Sequence, residues 1–206
     1  EMPGEASEVV IAGFGRVGQI VGRLMLARGI RFTALDVDTE QVDTVRKFGL
    51  KVFYGDAGNL DVLHSAQLGE AKVFVLAIDD VKASLRAAEL VHKHFPDVQI
   101  VARARNRFHA GRLMDLGIER QIRETLPSSL EMARWTLELL HEPPALVEQM
   151  MSSFARHDAE VLARQQAIAH DESKLIQSSR EAREELAQIL EEARTAFVKK
   201  AKGVKA

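Results

Sequence analysis

Val9-Val-Ile-Ala-Gly13-Phe-Gly15-Arg-Val-Gly18 is the stretch on which the reading of the fold turns. A short apolar run breaks into a Gly-x-Gly-x-x-Gly turn and passes straight into a helical pattern. In such a βα unit the first glycine permits the tight turn, the second lets backbone approach a phosphate, and the third lets helix and strand pack closely. Those tasks fall to Gly13, Gly15 and Gly18. Glycine-rich turns are common, so the context carries the reading. A strand precedes the turn, a helix follows it, and Asp36 ends the next apolar run about 20 residues on, where an acid meets ribose hydroxyls.

Working outward, residues 9–12 form a buried strand, and residues 16–28 a helix with Val17, Ile20, Val21 and Leu24 at helical spacing, stopped by Gly29. Residues 31–36 are a second strand. Thr39 is read as the N-cap of a helix reaching residue 48, with Gly49 as its left-handed C-terminal glycine. Residues 51–54 form a third strand that closes on Gly55-Asp56-Ala57. A helix (60–66), a strand (73–77), a helix (81–95) and a strand (99–102) follow, then a helix (108–116) stopped by Gly117, an edge strand (118–122) and a helix (128–140). The strands are rich in Val, Ile and Phe and apolar on both faces. The fold class is therefore α/β, a Rossmann-like doubly wound parallel sheet with right-handed crossovers and a C-terminal helical appendage. Pro143-Pro144 breaks the alternation, and residues 145–201 read as helical throughout, dense in Glu, Arg, Gln and Ala. In that tail Ala182, Leu186, Ile189, Leu190, Ala193 and Phe197 make one apolar stripe, and its charges a solvated face. The divisions expected are a linker or expression remnant at 1–8, the Rossmann-like domain at 9–142, and the helical region at 143–206.

Composition sets the outer limits. With 206 residues, 46% hydrophobic and 28% charged, the chain has the makeup of a soluble globular protein. A formal charge of -2 supplies no general attraction to nucleic acid, and no apolar run is long enough to span a bilayer. Without cysteine there is no thiolate metal site and no cysteine nucleophile.

The residues that could carry chemistry gather at the carboxyl ends of strands, where ligands of open α/β sheets bind. Asp36 would take the ribose hydroxyls, and Asp38 beside it would repel a 2'-phosphate, which disfavours NADP. Asp56, Asp79 and Asp80 lie at such ends, with helix capping as the alternative role, above all for Asp80. Arg103 and Arg105 alternate on one face, to pair with a phosphate or with Asp79. The nucleotide-binding set is thus Gly13, Phe14, Gly15, Arg16, Val17, Gly18, Asp36, Val37, Asp56, Ala57, Ile78, Asp79, Arg103 and Arg105. Catalytic machinery is not legible. The histidines at 64, 92, 94, 109, 141, 157 and 170 have no metal spacing and read as surface residues. There is no Gly-x-Ser-x-Gly elbow, no Walker lysine, and no second lobe to hold a substrate against a nicotinamide. A sensor fits better than an enzyme.

Residues 11–125 resemble the cytoplasmic KTN or RCK regulatory domains of potassium transport systems, and among them the glutathione-gated efflux systems of Gram-negative bacteria, the Kef family. The resemblance rests on Gly13-Phe-Gly-Arg-Val-Gly18, Leu35-Asp36, Arg46-Lys-Phe-Gly-Leu-Lys-Val-Phe-Tyr-Gly-Asp-Ala57, Ala77-Ile-Asp-Asp80, His94-Phe-Pro96, Ala102-Arg-Ala-Arg105 and Arg123-Glu-Thr125. It implies a homodimer at the cytoplasmic face of the bacterial inner membrane, fused to a transmembrane transport domain, with an oxidoreductase-like ancillary subunit in some systems. It implies AMP or NAD(H) in the Rossmann cleft, and glutathione or an S-substituted glutathione in a second pocket at the dimer interface. Glutathione would hold the potassium/proton antiporter closed and bulky adducts open it. To that pocket the resemblance assigns Arg23, Phe48 and Arg123, and, counting without gaps, Asp158 where an asparagine is expected. Arginine can grip the two carboxylates of glutathione, and a ring beside its sulfur can respond to bulk. Two other readings compete: a nucleotide sensor of another potassium channel or uptake system without glutathione gating, and a small NAD-dependent oxidoreductase lobe.

Overall fold

Short strands that are apolar on both faces cannot leave either face in water, so the helices between them must cover both sides of one sheet. The computed structural model describes residues 6–47, 52–168 and 171–203. In chain order it has β1 (Val9–Ala12), α1 (Arg16–Ala27), β2 (Phe32–Asp36), α2 (Thr39–Lys47), β3 (Val52–Tyr54) and α3 (Leu60–Ser65). Then come β4 (Val73–Leu76), α4 (Val81–His94), β5 (Gln99–Ala104), α5 (Arg107–Asp115) and β6 (Gln121–Arg123). The six strands lie in the order β3-β2-β1-β4-β5-β6, every neighbouring pair parallel. This is the doubly wound order, and its direction reverses between β1 and β4, which opens a crevice at their carboxyl ends.

The chain divides into two compact units at Glu124/Thr125. In the first, β1 is the centre of the core: Val10, Ile11 and Ala12 have no exposed surface, and Phe14, Ala34, Val42, Val45 and Val52 pack around the same strand. The second unit holds α6 (Leu126–Leu139), α7 (Pro144–Gln166) and α8 (Glu172–Gly203). Its buried apolar residues include Leu146, Val147, Val161, Ala182 and Ala193, and Arg164 grips Glu185 with two hydrogen bonds of 3.0 and 2.6 Å.

Several local details differ from the sequence reading. Asp38, not Thr39, caps α2, its Oδ1 accepting from the N–H groups of Glu40 and Gln41 at 2.9 and 3.1 Å. A carboxylate is the stronger acceptor of adjacent capping candidates, and its charge suits a helix N-terminus. Strand β5 runs on to Ala104 because Gln121–Arg123 pair with Ala102–Ala104, which also moves the edge strand later than 118–122. A 3-10 turn at Leu68–Glu70 went unforeseen. The tail holds α7 and α8, and the first compact unit ends at Glu124. Phe48, Gly49 and Lys51 lie outside the described residues.

Candidate functional site

The crevice at the carboxyl ends of the strands is a cleft of about 300 Å³, within the size range of small-ligand sites. Its floor is the glycine turn. Gly13 adopts φ +86°, donates its N–H to Leu35 O at 2.9 Å, and passes so close to the chain just after β4 that a Cβ would stand 2.7 Å from Ile78 N. At Gly18 a Cβ would stand 2.1 Å from Gly13 O, so α1 can only rest on the turn if that position is glycine. Gly15 is of another kind. Nothing lies within 4 Å of where its Cβ would project, and it lines the cleft.

Gly15 is also the N-cap of α1, and no side chain caps that helix; its first turn holds no acid. The N–H groups at such an end, backed by the helix dipole, are ready to receive a phosphate. The turn is clamped from the next strand: Phe14 N–H donates to Asp36 Oδ2 at 2.6 Å, while Asp36 Oδ1 accepts from Asp38 N–H at 2.9 Å. Each carboxylate oxygen has a second lone pair, so Asp36 can still accept from ribose hydroxyls. The Phe14 ring is fully buried and stacks on Phe32 at 5.8 Å, anchoring the turn from below.

The far half of the cleft is an ion-pair cluster. Asp79 is held by two arginines, Oδ1 by Arg103 Nη2 at 2.5 Å and Oδ2 by Arg105 Nη1 at 2.7 Å. Arg103 is buried in β5, donates Nη1 to Ala77 O at 3.1 Å, and pairs through Nη2 with Glu124 Oε2 as well. Asp56 bonds Gly58 N–H at 2.7 Å and Arg86 Nη2 at 2.8 Å, and Asp80 caps α4 through Ala83 N–H at 2.8 Å. Asp79 therefore meets both arginines in the protein alone.

Of the residues singled out from sequence, Gly13, Gly15, Asp36, Val37, Asp56, Ala57, Ile78, Asp79 and Arg103 line this one cleft. Phe14 and Gly18 are buried beneath it, Val17 is half-buried, Arg16 is exposed at the start of α1, and Arg105 reaches in through Asp79. Gln41 and Ala83 line it without having been singled out. Both stand in the first turn of a helix that follows a strand, which is the signal that could have found them. For the second pocket, Arg23 is exposed on α1, Arg123 is half-buried and engaged on β6, Phe48 is outside the described residues, and Asp158 is buried on α7. The histidines need correction: His109 and His157 are buried, not on the surface. His157 lies against α8, its Nε2 2.9 Å from Ala182 O. His109 accepts Arg105 N–H on Nδ1 at 3.2 Å, and burial, with the Arg103 charge, holds its pKa below the usual histidine value. Among the described residues no group of acids and histidines is placed to hold a metal, and no helix is long and apolar enough to cross a membrane.

Comparison with known proteins places this geometry. The TrkA-N domain family matches residues 9–124, and the potassium efflux system KefB C-terminal domain family matches residues 128–202. The chain is 42% identical, over 171 residues, to the glutathione-regulated potassium-efflux system protein KefC of Escherichia fergusonii and of Escherichia coli. That match covers 83% of this chain and 28% of those relatives, so the chain spans a little over a quarter of their length. Among solved structures, the Kef C-terminal domain of Shewanella denitrificans in AMP-bound form is 39% identical, with a TM-score of 0.70, and covers 78% of this chain and 98% of that one. The TrkA-N domain of the Escherichia coli inner membrane protein ybaL is 26% identical, with a TM-score of 0.57, over 67% of this chain and 99% of that one. The chain thus belongs to the TrkA-N domain family and, within it, to the C-terminal domains of Kef potassium-efflux systems.

Proposed function

We propose that the chain is the ligand-sensing cytoplasmic regulatory domain of a potassium/proton antiport protein, binding a nucleotide in the crevice and without catalysis of its own. The observation that carries this reading is the uncapped N-terminus of α1 at Gly15, open above and flanked by Asp36. Phosphate would sit on the N–H groups of that turn and ribose on Asp36, with Val37, exposed at the rim, against the base. Asp38 and Asp36 together repel a 2'-phosphate, which leaves AMP or NAD(H). The solved Kef relative with AMP supports the choice of ligand class.

The finer part of the reading concerns gating. Two copies of the chain form a homodimer, and glutathione or its S-substituted adducts bind at their interface through Arg23, Phe48 and Arg123, closing or opening an attached transmembrane domain, with an oxidoreductase-like ancillary subunit as a further partner of the intact system. The KefC relatives support this by their description as glutathione-regulated. One observation favours a nucleotide sensor without glutathione: Asp158 stands where asparagine is expected, and it is buried. The test is thermal unfolding with AMP, NADH, glutathione and an S-alkylated glutathione, followed by the fluorescence of Trp135, the single tryptophan, which is exposed on α6. Stabilisation by the adduct that disappears in Arg123→Ala supports gating, because a ligand of the folded state alone raises stability. Response to nucleotide and to no glutathione species favours the second reading. Turnover of NADH would overturn both.

A further inference from the structure

The β5–α5 turn, which carries Arg105 toward the cleft, is closed by two reciprocal hydrogen bonds. Asn106, the N-cap of α5, accepts His109 N–H on its side-chain oxygen at 2.9 Å. In return His109 Nδ1 accepts the backbone N–H of Arg105 at 3.2 Å. This has the logic of a capping box, in which the third helical residue reaches back to the chain before the helix, with an imidazole nitrogen in place of the usual Glu or Gln oxygen. An imidazole can accept there only when neutral, with its proton on Nε2. That Nε2 is buried without a hydrogen-bond partner, and the whole ring has no exposed surface. A hydrocarbon of similar size would fill this space without stranding a donor, so what the imidazole contributes is its Nδ1 acceptor.

We infer that His109 is a positioning residue of the nucleotide cleft: as a neutral acceptor it sets the backbone at Arg105, so that Arg105 meets Asp79 on the cleft wall. The link runs from His109 Nδ1 to Arg105 N–H, and from Arg105 Nη1 to Asp79 Oδ2 at 2.7 Å. The inference rests on the nucleotide reading for its ligand, though the turn itself does not. Protonation would convert Nδ1 to a donor facing another donor and would add a cation beside Arg103. α5 packs against β5, β6 and α4; β5 carries Arg103, which pairs with Asp79 and Glu124, Arg105 follows β5, and β6 carries Arg123. The buried positions of α4, Ser84, Ala87, Ala88 and Val91, are uncharged. Of the charges it is Arg103 that bears on His109, and it opposes protonation.

The test compares the wild type with His109→Gln, which keeps an acceptor but cannot titrate, and His109→Leu, which keeps bulk but cannot accept. Imidazole ¹⁵N spectra of the wild type at neutral pH should show the Nε2–H tautomer, and the opposite tautomer would overturn the inference whether or not any nucleotide binds. AMP affinity by calorimetry should fall about tenfold in His109→Leu and stay within about threefold of wild type in His109→Gln. From about pH 7.5 to about pH 5 the wild type should lose more affinity than His109→Gln, the titration of the AMP phosphate falling equally on both. Equal affinity in His109→Leu, or identical pH profiles in wild type and His109→Gln, would overturn the assignment. A wild type that binds no nucleotide but has the Nε2–H tautomer refutes the nucleotide reading and leaves the turn as described.

Discussion

Asp36 Oδ2 accepts the backbone N–H of Phe14 at 2.6 Å, so the acid proposed to bind ribose also holds the glycine turn in shape. Ligand site and loop conformation share one carboxylate. Asp36→Asn presents an amide N–H₂ either to Phe14 N–H or to Asp38 N–H, donor against donor. The expected result is a loss of roughly 1–3 kcal/mol of stability in denaturant titration together with at least tenfold weaker AMP binding by calorimetry.

The three glycines of the turn are expected to separate by mechanism. Gly13→Ala and Gly18→Ala meet backbone at 2.7 and 2.1 Å and should lower the unfolding temperature by several degrees. Gly15→Ala meets nothing within 4 Å and should leave it within about a degree or two of wild type. Differential scanning calorimetry of the three variants without ligand makes the comparison.

Arg103 is buried between Asp79 and Glu124, and removing it leaves two carboxylates with no cation between them. Arg103→Met should cost about 3 kcal/mol, measured by urea unfolding. Adding Glu124→Gln to Arg103→Met should recover part of that loss, since the two residues are coupled; strict additivity would count against the pairing.

The stability of the sheet unit should also depend on pH through His109. Burial and the charge of Arg103 hold its folded pKa below the value of about 6.5 that the unfolded chain keeps. The unfolded chain therefore takes the proton first. The contribution of neutral His109 is complete above about pH 6.5 and is lost as pH falls below it toward the folded value. Unfolding midpoints of wild type and His109→Gln, measured from about pH 8 to about pH 5, should diverge only on the acid side.

Much of this was legible because local signals agreed. The strands of the sheet are apolar on both faces, and Gly29 and Gly117 end helices where the sequence says they should. The glycine turn and Asp36 announce the cleft together. What escaped needed partners that only folding supplies. Thr39 and Asp38 are adjacent capping candidates, and the choice depends on where α2 begins. The end of β5 depends on β6 pairing with it. His109 reads as a surface histidine until α5 turns it under the sheet, where a neutral imidazole has a backbone N–H to accept. The first compact unit ends at Glu124 because the sheet runs out of strands there, not by a break in composition.

The nucleotide reading is tested most directly by titrating AMP into the wild type and into Gly15→Leu in one calorimetric series. The wild type should bind one AMP per chain, and Gly15→Leu, whose side chain would fill the space above α1, should bind none while unfolding at the wild-type temperature. Binding of equal strength in Gly15→Leu, or no binding of AMP or NADH to the wild type at millimolar concentration, would contradict it.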